Sequence, residues 1–244
     1  MLPRKLESIA QELRRKGNTP SDKVLRIAQR GIWSLNLSPH VNLGKRVIVD
    51  LDAPPEPPKG MLDLAVRRAE LRDVPALTAV VGSDAGLFRE RLERGDYGYV
   101  AELDGGPSGQ PELVCYTWFH RGPTPFEEER TLFAPWRLDA STFWSYDAMT
   151  REDVRSSGTF AKVFRIALRE LFERHGAKRI RGNIDHVNDA SLQVHRRLGF
   201  RTIGTVTSVV VPGLKWLLWE GDGVKPTQRV LPRGSDFALA FPLS

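Results

Sequence analysis

TFWSYDAMTREDVRSSGTFAKVFRIALRELFERHGAKRIRGNIDHVNDASLQVHRRLGF, residues 142–200, is the stretch on which the fold turns. It opens with TFWSYDAMT, Thr142–Thr150, a run of aromatic and hydroxyl residues of the kind that fits a pleated strand. A Ser-Ser-Gly turn follows, and the spacing then predicts a long helix over Gly158–His175. Phe160, Phe164, Ala167, Leu168, Leu171 and Phe172 share one face of it, and Arg165, Arg169, Glu170 and Glu173 share the other. Lys178–Ile184 reads as a strand and Asn188–Arg197 as a second helix, with Gly199 as the left-handed residue that stops it. A strand–helix–strand–helix unit of this kind belongs to an α/β domain.

Upstream, Leu64–Ala69 reads as a strand. Asp73-Val74-Pro75 opens a helix, because proline near the first turn gives up an N–H that would be unpaired anyway. A further helix is expected over 84–94, then strands Tyr97–Leu103 and Glu112–His120, then a long loop over 121–140. Downstream, Phe200–Val211 and Leu214–Glu220 form a hairpin across Pro212-Gly213. The main domain is therefore expected over 61–220, with a mixed sheet, and 221–244 as a C-terminal tail. Residues 1–60 read as an α+β appendage: helices over 2–16 and 22–30, strands over 32–38 and 46–51, and the four-proline spacer DAPPEPPKG over 52–60.

Composition narrows the class of protein. At 244 residues the chain is long enough for a large core, and 41% hydrophobic with 27% charged residues is ordinary globular usage. No apolar run approaches the roughly 20 residues of a membrane helix, and MLPRKLESIAQELRRKG has no apolar signal core, so no membrane partner is expected. Eight of the bases and only three acids fall in residues 1–31, which supplies most of the net +6 and leaves the remainder close to neutral. That basic arm lacks interleaved aromatics, so nucleic acid is not expected as a partner. The lone cysteine, Cys115, points to a reducing compartment, the cytoplasm, and leaves no cysteine cluster for a metal.

Two segments carry the chemistry. In VRSSGTF, Val154–Phe160, a Ser/Gly turn feeds a helix N-terminus, where unpaired N–H groups and the dipole favour an anion; a plain capped helix fits the same residues. NDASLQVHRRLGF, Asn188–Phe200, is equally complete as an amphipathic helix with an Asn cap and a Gly stop. Together and in this order they resemble the GCN5-related N-acetyltransferase (GNAT) superfamily. Arg155-x-x-Gly158 is similar to that family's acyl-CoA loop. Asn188, Ser191, Leu198, Gly199 and Phe200 match its Asn-x-x-Ser…Leu-Gly-Phe signature. The resemblance spans about 62–220 and implies a mixed, mostly antiparallel sheet flanked by helices. It implies acetyl-CoA as acyl donor, no metal, and direct transfer to a primary amine of a small molecule or peptide. It further implies that Ala148, Met149 and Thr150 hold the pantetheine and thioester. The loop Arg155, Ser156, Ser157, Gly158, Thr159 and Phe160 would hold the pyrophosphate, with Asn188 and Ser191 facing the cofactor. Ser156 stands where glycine is usual and Phe160 where Gly or Ala is usual, and a Tyr of the family motif is replaced by His195. These departures motivate an alternative, a non-catalytic acyl-CoA-binding regulatory protein of the same fold.

An alkylammonium with a pKa near ~10.4 is free amine in only about one molecule in 2,500 at pH 7, whereas a thiol near ~8.5 leaves readily. A base is thus the greater need and an acid the lesser. Asp147, the one charge in TFWSYDAMT, is the expected base, with Glu102, His120 and Asp185 as further candidates; His195, at the family's Tyr position, is the expected acid. Trp118, Trp144 and Tyr146 are candidates to line the acceptor cleft, while Cys115 reads as a buried strand residue. Acceptor identity, acyl chain length and oligomeric state, a homodimer included, stay open.

Overall fold

The computed structural model describes residues 28, 42–58, 64–81, 85–103, 111–123, 136–155, 157–211, 214–221, 224–232 and 239–240. The expected helices over 2–16 and 22–30 and the strand over 32–38 lie outside these, apart from a single helical residue at 28. The strands are β1 (Asn42–Leu51), β2 (Leu64–Arg68), β3 (Tyr97–Leu103), β4 (Glu112–Arg121), β5 (Trp136–Arg137), β6 (Thr142–Thr150), β7 (Arg179–Asp185), β8 (Arg201–Val211), β9 (Leu214–Gly221), β10 (Val224–Pro232) and β11 (Leu239–Ala240). The α-helices are α1 (Val74–Val81), α2 (Ala85–Glu93), α3 (Thr159–Arg174) and α4 (Asp189–Arg197). None of the described helices is long and apolar enough to cross a membrane.

Nine strands form one sheet in the order β10-β9-β8-β1-β7-β6-β4-β3-β2, and β5 and β11 make a separate short parallel pair. Within the large sheet β6 and β7 are parallel and every other neighbouring pair is antiparallel. The expected α/β class and the mixed, mostly antiparallel sheet flanked by helices are what the chain adopts.

The periodicity explains each layer. Along α3 the i, i+4 stripe Val163, Phe164, Ala167, Leu168 and Leu171 is buried against Tyr99, Ala101, Phe119, Phe143 and Ile180 on one face of the sheet. Each of the larger apolar side chains contributes about 2 kcal/mol of burial. On the other face α1 and α2 set Val74, Leu77 and Phe88 against Val100, Tyr116 and Trp118, and the same cluster runs on through Trp144, Ile48, Val206 and Leu217. Leu198 and Phe200 close the α3 face behind α4, which stops at Gly199.

Two boundaries differ from the sequence reading. The strand assigned to the appendage over 46–51 begins at Asn42 and lies inside the main sheet, antiparallel to β7 (Arg46↔Asp185 to Leu51↔Ile180) and to β8 (Asn42↔Val210 to Asp50↔Arg201). Its alternating Val47, Val49 and Leu51 need a covered face, and α3 provides it. Residues 221–244, expected as a tail, supply β10, which pairs with β9 at the sheet edge. Asp50, on β1, is almost completely buried and gathers the ends of three strands: Arg181 donates to it at 2.9 Å, Arg201 at 2.9 Å, and Arg179 lies 3.5 Å away.

Candidate active site

β6 and β7 pair from Thr142↔Arg179 only as far as Ser145↔Gly182, although β6 continues to Thr150 and β7 to Asp185. Past that point β6 stays with β4, from Tyr146↔Trp118 to Thr150↔Cys115, while β7 stays with β1. Two parallel strands that part midway turn backbone N–H and C=O groups toward the gap, where they need other partners. A Cβ at residue 182 would lie 2.9 Å from the Ser145 carbonyl oxygen, so glycine there lets the strands close up just before they separate.

The separation coincides with a β-bulge. Asp147 is the extra residue between the pairs Trp118↔Tyr146 and Thr117↔Ala148, and its φ of 36° is the one positive value for a non-glycine among the described residues. Arg91 of α2 donates to its Oδ2 at 2.6 Å, and the Tyr116 hydroxyl lies 3.5 Å from its Oδ1. Arg91 is fully buried, with its guanidinium carbon 5.5, 5.4 and 5.0 Å from the ring centres of Phe88, Trp118 and Tyr146. The sequence reading made Asp147 the base because its strand carries no other charge. The structure supplies a counter-charge from a helix, and Asp147 is one half of a buried ion pair.

Beyond β6 a 3-10 turn, Glu152–Val154, leads to α3, whose N-cap Gly158 adopts φ 86°, ψ 0°. That conformation is free for glycine and costs an L-residue about 1–2 kcal/mol. The Ser157 hydroxyl donates to the Val154 carbonyl at 2.7 Å and lies 2.7 Å from the Thr159 hydroxyl. Arg155 Nε donates to the Thr150 carbonyl at 3.0 Å, tying the loop to the end of β6. Ser156 lies outside the described residues. Phe160 stacks on Phe164 at 5.0 Å, so the aromatic ring that departs from the family pattern is turned into the core and not into the loop. Ala148 is exposed, and Met149 and Thr150 are half-buried. Cys115 Sγ lies 3.3 Å from the Thr150 hydroxyl, and burial pushes its thiol up to about 11, which leaves it unreactive.

On α4, Asn188 Oδ1 accepts from the Ser191 N–H at 3.1 Å and caps the helix. His195 is buried, its Nδ1–H donates to the Ser191 carbonyl at 2.8 Å, and its ring sits 4.9, 5.0 and 6.2 Å from those of Phe164, Phe200 and Phe160. Burial pulls its pKa down to about 4. The imidazole is therefore neutral at pH 7 with its one N–H committed, and the expected acid is a core histidine.

The remaining candidates are also engaged. Glu102 pairs with Arg67, which also clamps Asp73. His120 Nδ1 is 2.7 Å from Asp96, and Asp96 also accepts from Tyr146 at 2.5 Å and Arg94 at 2.6 Å. Burial alone would raise the Asp96 pKa; the hydrogen bonds from His120, Arg94 and Tyr146 outweigh it and hold the carboxyl below the usual range. Asp185, at the open end of β7, is likewise raised by burial but lowered overall by His186, Arg46 and the Val187 N–H. Trp118, Trp144 and Tyr146 are buried in the core. Arg91 and Asp96 were not singled out in the sequence. For Arg91 the signal was present: it falls on the stripe Leu87, Phe88, Arg91, Leu92 of α2.

No protein-family model matches the chain, and no curated protein does either. Solved structures do. A tandem GNAT protein from the clavulanic acid biosynthesis pathway, solved without AcCoA, superposes with a TM-score of 0.50 at 11% identity over 84% of this chain and 59% of its own. The chain has the GNAT fold. A GCN5-related N-acetyltransferase from Kribbella flavida (TM-score 0.49, 15% identity, 75% of this chain and 64% of its own) and another from Sphaerobacter thermophilus (0.47, 14%, 80% and 58%) are also similar. The chain spans less than two thirds of the length of each. Within the GNAT fold, the two segments that suggested it from sequence are the N-terminal approach to α3 and the whole of α4, on either side of β7.

Proposed function

We propose that this protein is an acyl-CoA-dependent N-acyltransferase that passes an acetyl group from acetyl-CoA directly to a primary amine of a small molecule or peptide. The observation that carries the reading is the parting of β6 from β7 after Ser145↔Gly182, next to a helix whose N-cap glycine has φ 86°. The backbone edge over Ala148, Met149 and Thr150 that β7 no longer covers suits an extended amide-containing chain such as pantetheine. The amides of Ser157, Gly158, Thr159 and Phe160 at the start of α3 suit a pyrophosphate. Arg155 spends its Nε on the Thr150 carbonyl, and its terminal NH groups serve the phosphates. Asn188 and Ser191, at the start of α4, face the cofactor in this reading. Ser156 joins the loop in this reading.

Transfer forms a C–N bond and breaks a C–S bond. The thiolate leaves without an acid, in keeping with the commitment of His195 to the Ser191 carbonyl. The ammonium must shed its proton first, to solvent at the partly exposed Asp185 end of the gap. Asp185, ionised and 35% exposed at the open end of β7, draws the ammonium toward the gap. The fold needs no metal for this chemistry, and the single, buried cysteine suits a cytoplasmic setting.

The test is thiol release from acetyl-CoA across a panel of primary amines, with calorimetry of acetyl-CoA in parallel. Turnover on any amine class supports the reading. Binding without turnover on the whole panel would favour the regulatory alternative, and absence of binding at millimolar acetyl-CoA would remove both.

A further inference from the structure

The Arg91–Asp147 pair joins two parts of the fold that the proposed chemistry uses separately. Asp147 is the bulged residue of β6, one position before Ala148, and the strand leaves β7 two positions earlier, at Ser145. A bulge with positive φ at an Asp is not self-sustaining in a strand: it needs the surrounding structure to hold it. The hold comes from α2. Arg91 lies 56 positions away in sequence, is fully buried, reaches Asp147 Oδ2 at 2.6 Å, and is boxed by Phe88, Trp118 and Tyr146. The three rings hold the guanidinium against the strand, so the helix bears on the place of the carboxylate and with it on the place of the extra residue.

We propose that Arg91 and Asp147 are positioning residues: their buried pair pins the bulge where β6 parts from β7 and so fixes the backbone of Ala148–Thr150 that meets the thioester. This rests on the acyl-CoA reading above. The pair acts on the backbone, and the carboxylate itself does not take the acceptor's proton.

Three full-length variants test this: Asp147→Asn, Arg91→Met, and the double Arg91→Met/Asp147→Gly. Each single change strips one partner from a buried pair; the double removes both charges and gives residue 147 a backbone that adopts positive φ freely. Hydrogen exchange at the amides of 148–150 reads the bulge without reference to activity. Calorimetry with acetyl-CoA and with CoA reads the thioester contact, and kcat and KM for the amine read the outcome. The singles should exchange faster at 148–150, lose tenfold or more in kcat, and weaken acetyl-CoA more than CoA. The double should return exchange and kcat to within about threefold of the parent. A double variant that binds acetyl-CoA like the parent, exchanges like the parent and stays as slow as Asp147→Asn would make Asp147 a reacting group and overturn the proposal. Singles that match the parent in exchange and kcat would overturn it too. If the parent turns over no amine and binds no acetyl-CoA, the acyl-CoA reading falls instead, while the exchange arm still decides whether the pair pins the bulge.

Discussion

Replacing His195 with Phe should remove a pH dependence of stability that the fold owes to one buried ring. In the unfolded chain an imidazole titrates near ~6.5. In the folded protein burial pulls His195 down to about 4. Between those values the unfolded state binds the proton and the folded state does not, so stability rises with pH across the window and is lost as pH falls through it. Each pH unit inside the window is worth about 1.4 kcal/mol, so taking the protein from pH 7 to pH 5 should cost about 2 kcal/mol on account of this residue alone. Phenylalanine suits the site, because the ring already lies among Phe160, Phe164 and Phe200. Urea unfolding of the parent and of His195→Phe at pH 7, 6 and 5 isolates the effect, since every other titrating group is common to both. The variant's loss between pH 7 and pH 5 should be smaller than the parent's by about 2 kcal/mol. Its turnover, once an acceptor is found, should stay within about threefold, because the ring's N–H serves a backbone carbonyl and not a leaving thiolate. Equal pH dependence in the two proteins, or a folded-state NMR titration of this imidazole near 6.5, would refute the reasoning.

Gly158→Val forces a β-branched residue into φ 86° at the α3 N-cap; acetyl-CoA affinity by calorimetry should drop about tenfold or more, the equivalent of ~1.4 kcal/mol. Gly182→Val sets a Cβ 2.9 Å from the Ser145 carbonyl oxygen; the strands must move apart, and thermal unfolding should come down by several degrees for a cost of about 1–3 kcal/mol. Asp50→Ala leaves Arg181, buried at the junction of β1 and β7, without its carboxylate; denaturant unfolding should register a loss of about 3–5 kcal/mol.

Local signals carried the sequence reading where the structure is local. β6, α3, β7 and α4 fall within a residue or so of their expected limits because each has its own period and its own stop, Gly199 (φ 94°) at the end of α4 among them. The place of β1 left no such trace. Its partners β7 and β8 lie far down the chain, and a pairing between distant strands writes nothing into either one except an alternation that any sheet would satisfy. The proline-rich stretch after β1 looked like a domain border and is a connection leaving a strand of the main sheet.

Both residues expected to do the acid–base chemistry turn out to be engaged by partners, and the sequence hid this for one shared reason. Asp147 looked isolated because only its own strand was in view, and His195 looked like a catalyst because of the position it holds in a motif. Helical spacing sets His195 beside Leu192 and Leu198 on the covered side of α4, just as it sets Arg91 on that of α2, a signal the sequence reading did not use. A titratable residue on an apolar stripe goes inside with its neighbours, and what it does there depends on the partner it meets.

Among the described strands, β1 joins the part of the large sheet that contains β6 and β7 to the part made of β8, β9 and β10. During synthesis it emerges long before either neighbour; Asp50 waits 131 positions for Arg181 and 151 for Arg201. The sheet therefore is not assembled strictly in the order in which it is made: β1 has to wait for β7 and then for β8, and the place between those two strands is filled by a strand made much earlier. A slot of that kind accepts a strand by its edges and its alternation, whatever peptide bond precedes or follows it. A chain cut in the proline-rich connection should thus be mendable by its own first piece supplied separately, with Asp50 and its three arginines acting as the latch.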